Sequence, residues 1–292
     1  MTSNFAIVVD STSDLPEELL NKYNITVVPA WVVIGDKELR DRIDIKREEF
    51  LHELTHSEEK ITTTQPRPLD FLKAYEEILK KYEKILFLGV SNKLSATNQN
   101  AVIAAKQAGK EKIVCIDTLS VTLGAGNLAL HAALRREQGM ELEKVVEEIK
   151  ELIEYVGLYF LVGTLDYLHK GGRIGKAKHL LGTLLNTKPL LFLNQEGEID
   201  SFKSVRGIEA GFEEMTELVI QYAHKHKNFV LGIAYGEDNP VFEELGLKLK
   251  EKTNPLIYSK ALLGPGVLTH VGPKVEAVIF MKIPDSMVDA YK

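Results

Sequence analysis

Hydroxyl and carboxyl side chains follow three of the β-rich runs at the point where each run ends. Asp10 and Ser11 follow FAIVV, Ser91 and Thr97 lie in the segment after KILFLGV, and Asp117 follows KIVCI. In open parallel sheets, ligands bind beyond the carboxyl ends of the strands, where helix N-termini direct backbone amides towards them. The same residue types also cap helices, so capping alone explains any single cluster. Three clusters in succession predict a polar rim around a ligand site.

Two further segments place polar side chains near turn-forming residues. Residues 61–66, ITTTQP, read as a loop with three consecutive hydroxyls, of which Thr62 and Thr63 are the first two. GPGVLTHVGP reads as a second loop and holds His270 between glycine and proline turns, where a rigid scaffold presents side chains. A capping turn explains the threonines, and a lone histidine is more often structural than functional. On spacing alone, both segments are weak candidates for a site.

A zinc-protease pattern offers the alternative function. HELTH, at residues 52–56, matches H-E-x-x-H, and Glu76 follows as a candidate third ligand. The helix predicted around this pattern starts near Lys46 and ends in SEEK, so it is too short to be the buried centre of a protease domain. A zinc hydrolase that uses His52 and His56 is the rival hypothesis.

A basic segment, KGGRIGK, covers residues 170–176. Its glycine spacing does not match the phosphate-binding loop G-x-x-x-x-G-K-[ST]. The glycines predict an exposed turn that carries Lys170, Arg173 and Lys176, and Lys203 and Arg206 in SFKSVRG would extend the same basic surface. A solvated basic turn is the simpler interpretation, and docking of an acidic or phosphorylated partner is the functional one.

The order of predicted elements indicates two α/β units. The first half alternates apolar β-rich runs with amphipathic helices, which is typical of a parallel sheet covered by helices. From Leu158 the pattern changes: a helix is predicted at 174–186, and two later runs joined by QEGE are close enough to be antiparallel strands. We therefore predict an α/β fold with two domains. The N-terminal domain, 1–157, is mainly a parallel sheet with flanking helices, and the C-terminal α/β domain, 158–292, has a mixed sheet.

Composition argues against several classes of function. The 292 residues include 36 Lys and Arg and 42 Asp and Glu, and this net charge of −6 argues against nucleic acid as the main ligand. The longest apolar stretch, around 155–165, is far below the roughly 18 residues of a membrane span, so we expect at most transient membrane contact. The single cysteine, Cys115, cannot form an intramolecular disulfide, and MTSNFAIVVD has no basic leader. We expect a cytoplasmic protein without a signal peptide.

Eight segments, in order along the chain, resemble the DegV family of bacterial fatty-acid-binding proteins. Together they extend over nearly the whole sequence. They are VDSTSDLP (9–16), TTTQP (62–66), SNKLSATNQNA (91–101), IDTLS (116–120), KGGRIG (170–175), NTKPLL (186–191), KSVR (203–206) and THVGP (269–273).

The resemblance implies a two-domain α/β fold with a long-chain fatty acid held between the domains, and no cofactor besides this ligand. It also implies a non-catalytic subunit that presents the fatty acid carboxylate to a separate ATP-binding fatty acid kinase, which converts it to an acyl phosphate for phospholipid metabolism. The carboxylate contacts would be Thr63, Ser95 and His270. The kinase-docking residue would be Arg206, and the KGGRIG turn would have nearly the same role in docking the kinase.

Three positions depart from the family pattern. Thr64 and Ala96 stand where the family usually has serine and glycine, and Lys274 stands where it has a second glycine after Pro273. These larger side chains predict that the entrance to the ligand site is lined by bulkier groups, or that the kinase approaches the site differently.

Overall fold

The computed structural model describes residues 4–182 and 187–292, and these form an α/β structure with thirteen strands. The strands are β1 (Phe5–Asp10), β2 (Ile25–Val28), β3 (Trp31–Ile34), β4 (Lys37–Arg40), β5 (Ile61–Thr64), β6 (Lys84–Gly89), β7 (Ile113–Asp117), β8 (Val156–Val162), β9 (Lys188–Leu193), β10 (Ile199–Val205), β11 (Phe229–Tyr235), β12 (Ile257–Leu262) and β13 (Val275–Lys282).

Ten α-helices and four short 3₁₀ segments complete the described structure. The helices are α1 (Glu17–Lys22), α2 (Arg47–His56), α3 (Pro68–Ile78), α4 (Thr97–Ala108), α5 (Leu123–Glu137), α6 (Leu142–Ile153), α7 (Asp166–Lys170), α8 (Gly207–Lys225), α9 (Pro240–Thr253) and α10 (Pro265–Val271). The 3₁₀ segments are Ser11–Ser13, Lys110–Lys112, Gly175–Leu180 and Asp285–Tyr291.

The N-terminal half is built around a four-stranded parallel sheet in the order β2-β1-β6-β7. Every residue of β1 is buried, as expected for a strand covered on both faces. Alternate side chains serve the two faces: Ile7 and Val9 pack in the cluster that contains α5, whereas Ala6 and Val8 pack in the cluster that contains α3 and α4. The predicted parallel sheet with flanking helices is confirmed.

A small antiparallel sheet, in the order β4-β3-β5, was not predicted. The segment 61–66, which the sequence indicated as a loop, begins as strand β5, and Thr63 pairs with Val32 of β3. The physical reason is the β-branched side chain of threonine, which suits an extended backbone at the edge of a sheet. The loop prediction was therefore wrong for Ile61–Thr64.

The C-terminal half contains a six-stranded mixed sheet in the order β10-β9-β8-β13-β11-β12. Only β11 and β12 pair in parallel, and the β9–β10 hairpin predicted from QEGE is antiparallel. Helices α8 and α9 pack on one face of this sheet, and α5 contacts β8, β11 and β13 as well as β1. Gly126 allows α5 to pack closely against the 3₁₀ segment Ser11–Ser13, because a Cβ there would lie 2.9 Å from the carbonyl oxygen of Ser13. The predicted mixed α/β fold is confirmed.

Two local predictions differ from the structure. His270 lies on α10 instead of a loop, because Gly264 and Pro265 start a helix there and Gly272, at φ +78°, ends it. The helix predicted at 174–186 is replaced over its first part by the 3₁₀ segment Gly175–Leu180, and its last four positions lie outside the described residues.

The domain boundary at 157 stays a prediction. The two smaller sheets use strands that end by Asp117, and the six-stranded sheet uses strands that begin at Val156. The C-terminal 3₁₀ segment Asp285–Tyr291 nevertheless returns to α5, where Arg135 Nη1 lies 2.8 Å from Asp289 Oδ2. Within residues 4–182 and 187–292, no helix is both long and apolar enough to cross a membrane.

Candidate functional site

An apolar cavity lies between the parallel sheet and the six-stranded sheet. It holds about 890 Å³ of space between protein atoms, a figure that includes the open solvent at its mouth. The strands of the six-stranded sheet contribute Leu158, Phe160, Leu193, Ile199, Val275 and Ala277, and the loops after β6 and β7 contribute Val90, Leu94 and Val121. The composition of this lining suits a long apolar ligand.

The cavity also holds the three residues to which the family resemblance assigns contacts with a carboxylate. Thr63 on β5 and His270 on α10 are joined by a contact of 2.7 Å between Oγ1 and Nε2. Ser95 lines the same cavity just before α4, and its Oγ lies 2.8 Å from Oγ1 of Thr97. The structure therefore brings Thr63, Ser95, Thr97 and His270 to one cavity, from three different elements.

His270 is neutral in this environment at physiological pH. Burial, with a smaller contribution from the positive charge of Arg173, lowers the pKa of His270 from 6.5 to about 4. Its Nδ1 is buried and has no hydrogen-bond partner among the described residues. Gly171 faces this nitrogen, and a Cβ at that position would collide with it. The imidazole thus has one nitrogen engaged by Thr63 and one without a partner.

The exposure of Arg173 differs from the prediction. The basic turn was expected to expose it, but the guanidinium lines the cavity, with Nε donating to the carbonyl of Leu94 at 2.9 Å and Nη1 to that of Gly171 at 2.7 Å. The chain bends at Gly171 and Gly172, the latter at φ +69°, which brings Arg173 back towards the interior. Lys170, on the same segment, is exposed as expected. A partner-docking role for Arg173 stays a prediction.

Three residues of the predicted polar rim form hydrogen bonds within the protein, and their role in a ligand site stays a prediction. Asp10 accepts hydrogen bonds from the backbone amides of Thr12 at 3.0 Å and Val90 at 2.8 Å. Ser11 donates to Asp41 at 2.7 Å, and Ser91 donates to the carbonyl of Gly197 at 2.8 Å. None of the three lines the cavity, and their polar atoms join the ends of β1 and β6 to other segments of the protein.

A buried ionic cluster that positions α10 was missed from the sequence. Asp14 Oδ1 accepts hydrogen bonds from the amide of Gly264 at 2.9 Å and from Nη2 of Arg42 at 2.5 Å. Burial raises the pKa of Asp14 from 3.8 to about 6, and the Arg42 charge opposes that shift. The Asp41 carboxylate lies against Gly266, one turn before His270, where a Cβ would be 2.8 Å from Asp41 Oδ2. No sequence feature singles out Asp41 or Arg42, which lie in the ordinary charged stretch LRDRID.

The zinc alternative receives no support from the geometry. His52 and His56 stack on the exposed face of α2 with ring centroids 4.5 Å apart, and Glu76 belongs to α3. In the part of the chain that the structure describes, no three His, Cys, Asp or Glu side chains are grouped closely enough to hold a metal ion.

Structural comparison identifies close likenesses among DegV proteins. A DegV family protein from Thermus thermophilus, described for its fatty acid binding, has a TM-score of 0.90 and 32% identity, covering 96% of this chain and 100% of that one. DegV from Bacillus subtilis, described as a fatty acid binding protein, has a TM-score of 0.85 and 26% identity over 96% of this chain and 100% of that one.

Sequence comparison gives the same relationship. A DegV domain-containing protein from Caldanaerobacter subterraneus subsp. tengcongensis is 33% identical over 279 residues, which cover 94% of this chain and 98% of that protein. The model of the DegV family, described as uncharacterised, matches residues 4–282. The family resemblance noted in the motifs is confirmed, and this chain belongs to the DegV family.

Proposed function

We propose that this chain binds a long-chain fatty acid, with the acyl tail in the apolar cavity and the carboxylate at Thr63, Ser95 and His270. The observation that carries the proposal is the contact between Thr63 and His270 inside an otherwise apolar cavity. The fatty-acid-binding descriptions of the relatives from Thermus thermophilus and Bacillus subtilis support the same ligand class.

The head-group chemistry fits an ionised carboxylate. Such a group only accepts hydrogen bonds, and the hydroxyls of Thr63 and Ser95 and a ring N–H of His270 are donors. Because these three side chains are partly buried, their bonds to a charged group are stronger than in water. The guanidinium of Arg173, which lines the same cavity, contributes positive charge without the need for a protonated His270.

The tail supplies most of the binding free energy. About fourteen buried methylenes at roughly 0.8 kcal/mol each contribute on the order of 11 kcal/mol before the cost of ordering the chain. Each charge-assisted hydrogen bond to the head group contributes about 1.5–3 kcal/mol. The polar residues therefore act mainly to fix where the carboxylate points, which is what a reaction at that carboxylate requires.

We further propose that the chain presents the bound fatty acid to a separate ATP-binding kinase in the cytoplasm. A carboxylate oxygen attacks the γ-phosphorus of ATP, the new O–P bond forms, the bond from phosphorus to ADP breaks, and acyl phosphate and ADP result. Arg206, exposed at the start of α8, and Lys203, which pairs with Glu214, are the proposed docking residues. Here the chain itself is the lipid-binding subunit, and the kinase supplies the phosphoryl donor.

Lipid extraction tests the ligand class directly. The purified chain is denatured, extracted into organic solvent and analysed by mass spectrometry, and a delipidated sample is titrated with palmitate and oleate. We expect close to one equivalent of a long-chain fatty acid, or saturable uptake of one equivalent after delipidation. The absence of both would contradict the proposal.

A further inference from the structure

A second, polar groove adjoins the carboxylate end of the apolar cavity from the outside. Its walls are the segment from α2 to β5 on one side and α7 with the following turn on the other. Thr63, Arg173 and His270 line both the groove and the inner cavity. A ligand whose tail lies in the inner cavity and whose head group lies at these residues therefore has the groove directly beyond its head group.

Two lysines on opposite walls of this groove have no partner. Lys60 precedes β5 and Lys170 ends α7; both are exposed, and neither side chain makes a hydrogen bond or ion pair within the described ranges. The guanidinium of Arg173 adds a third positive charge, and its Nη2 has no hydrogen-bond partner in the same ranges.

The groove also contains two acidic residues, Glu59 and Asp166. Glu59 has its carboxylate against Gly35, beside the β3–β4 turn, and Asp166 is in the first turn of α7. Neither carboxylate forms an ion pair with Lys60, Lys170 or Arg173 within residues 4–182 and 187–292. Lys60, Lys170 and Arg173 together suit an anion with more than one negative charge.

We propose that this groove is a phosphate subsite, in which Lys60 and Lys170 contact the phosphoryl group transferred to the fatty acid carboxylate. The inference rests on the proposed function, because a phosphoryl group attached to a carboxylate oxygen at Thr63 and His270 extends into the groove. A phosphate ester carries close to two negative charges at neutral pH, whereas a carboxylate carries one. The lysines therefore favour the phosphorylated ligand, and the charge that develops during transfer, over the carboxylate.

The test compares two ligands that share one tail. Delipidated protein is titrated with palmitate and, in competition, with hexadecylphosphonate, a stable stand-in for the acyl phosphate. In Lys170→Ala and Lys60→Ala, we expect the affinity for the phosphonate to fall about fivefold, as the loss of a partly exposed charge contact predicts, while palmitate affinity changes less than about twofold. The matched control is Lys176→Ala, whose ammonium faces Glu196 and Glu198 at 3.8 and 3.9 Å, outside the groove.

The outcomes separate this inference from the proposed function. A selective loss of phosphonate binding in the groove variants, with the control unchanged, supports the subsite. Palmitate binding that persists with equal phosphonate affinity in all four proteins overturns the subsite and leaves the fatty acid proposal standing. An equal loss of phosphonate affinity in Lys176→Ala also overturns the subsite, because the loss would then reflect the overall positive charge of the protein and not a contact in the groove. If the wild-type protein binds no palmitate, both proposals are wrong.

Discussion

Oγ1 of Thr63 lies 2.7 Å from Nε2 of His270, although 207 positions separate the two residues in the chain. The contact joins the edge strand β5 of the small sheet to α10, which is held at its other end by the hydrogen bond from the Gly264 amide to Asp14. The polar end of the cavity is therefore fixed by contacts distant in sequence. A carboxylate that enters this site meets side chains that are already positioned, which lowers the cost of ordering them.

The depressed pKa of His270 predicts a loss of stability in mild acid. Between pH 6.5 and about 4 the unfolded chain binds a proton that folded His270 does not, so the free energy of unfolding falls as the pH falls. The shift corresponds to about 3 kcal/mol. Urea denaturation of wild type and His270→Gln at pH 7 and at pH 4.5 measures this difference. Equal acid destabilisation of the two proteins would contradict the assignment.

The raised pKa of Asp14 predicts the opposite pH dependence of the free energy of unfolding. Its folded pKa is about 6 against 3.8 in the unfolded chain, so its contribution to stability is present at low pH and is lost as the pH rises between these values. Asp14→Asn keeps an oxygen for the Gly264 amide and removes the titration. We expect the stability of this variant relative to wild type to rise by about 2–3 kcal/mol from pH 4 to pH 7.

The control for this experiment is Asp36→Asn, in the exposed β3–β4 turn. It should follow the wild-type pH profile. A relative stability of Asp14→Asn that is flat with pH would show that the Arg42 charge fully offsets the burial of Asp14.

The sequence predicted the layers of the fold because their pattern is local. A fully apolar run such as β1 indicates a strand that is buried on both faces, and the amphipathic face of α6 shows the alternation of buried and exposed positions directly. The β4-β3-β5 sheet was missed since its strands have four residues each and are partly polar, so their pairing depends on the surrounding structure.

The site was less accessible to sequence reasoning than the fold. The residue types alone indicated clusters of hydroxyl side chains. Only the family motifs predicted that Thr63 and His270 bind one ligand. The inward position of Arg173 depends on the bend at Gly171 and Gly172 and on distant carbonyls, and no periodicity encodes that. Contacts of this kind follow from tertiary packing, which a single sequence does not specify by pattern alone.

Ser95→Ala tests the division between binding and presentation. We expect the variant to retain close to one equivalent of fatty acid, since the tail dominates affinity, and to lose about tenfold to a hundredfold in the rate of acyl phosphate formation with the kinase. Lipid extraction and a phosphorylation assay measure the two effects. Ser259→Ala, buried on β12 and outside the cavity, is the control. Equal proportional losses of bound fatty acid and of the rate of acyl phosphate formation would contradict the proposed role of Ser95.

Arg206→Ala tests the docking surface. Arg206 is exposed at the start of α8 and does not line the cavity, so palmitate affinity should be unchanged. We expect the dissociation constant for the kinase to rise about tenfold, as for a charged residue within an interface. The control is Lys248→Ala, on α9, where the lysine pairs with Glu244. Unchanged kinase binding in Arg206→Ala would remove this residue from the interface.

Ala277→Leu tests whether the cavity holds the acyl tail. Ala277 is buried on β13 and lines the cavity, so a larger side chain occupies space that the tail would use. Each methylene excluded costs about 0.8 kcal/mol, or about fourfold in affinity, so the extracted fatty acids should shift towards shorter chains. Ala105→Leu overpacks a buried site on α4 away from the cavity and controls for a general loss of stability. If both variants retain the wild-type distribution of chain lengths, the tail does not lie against β13.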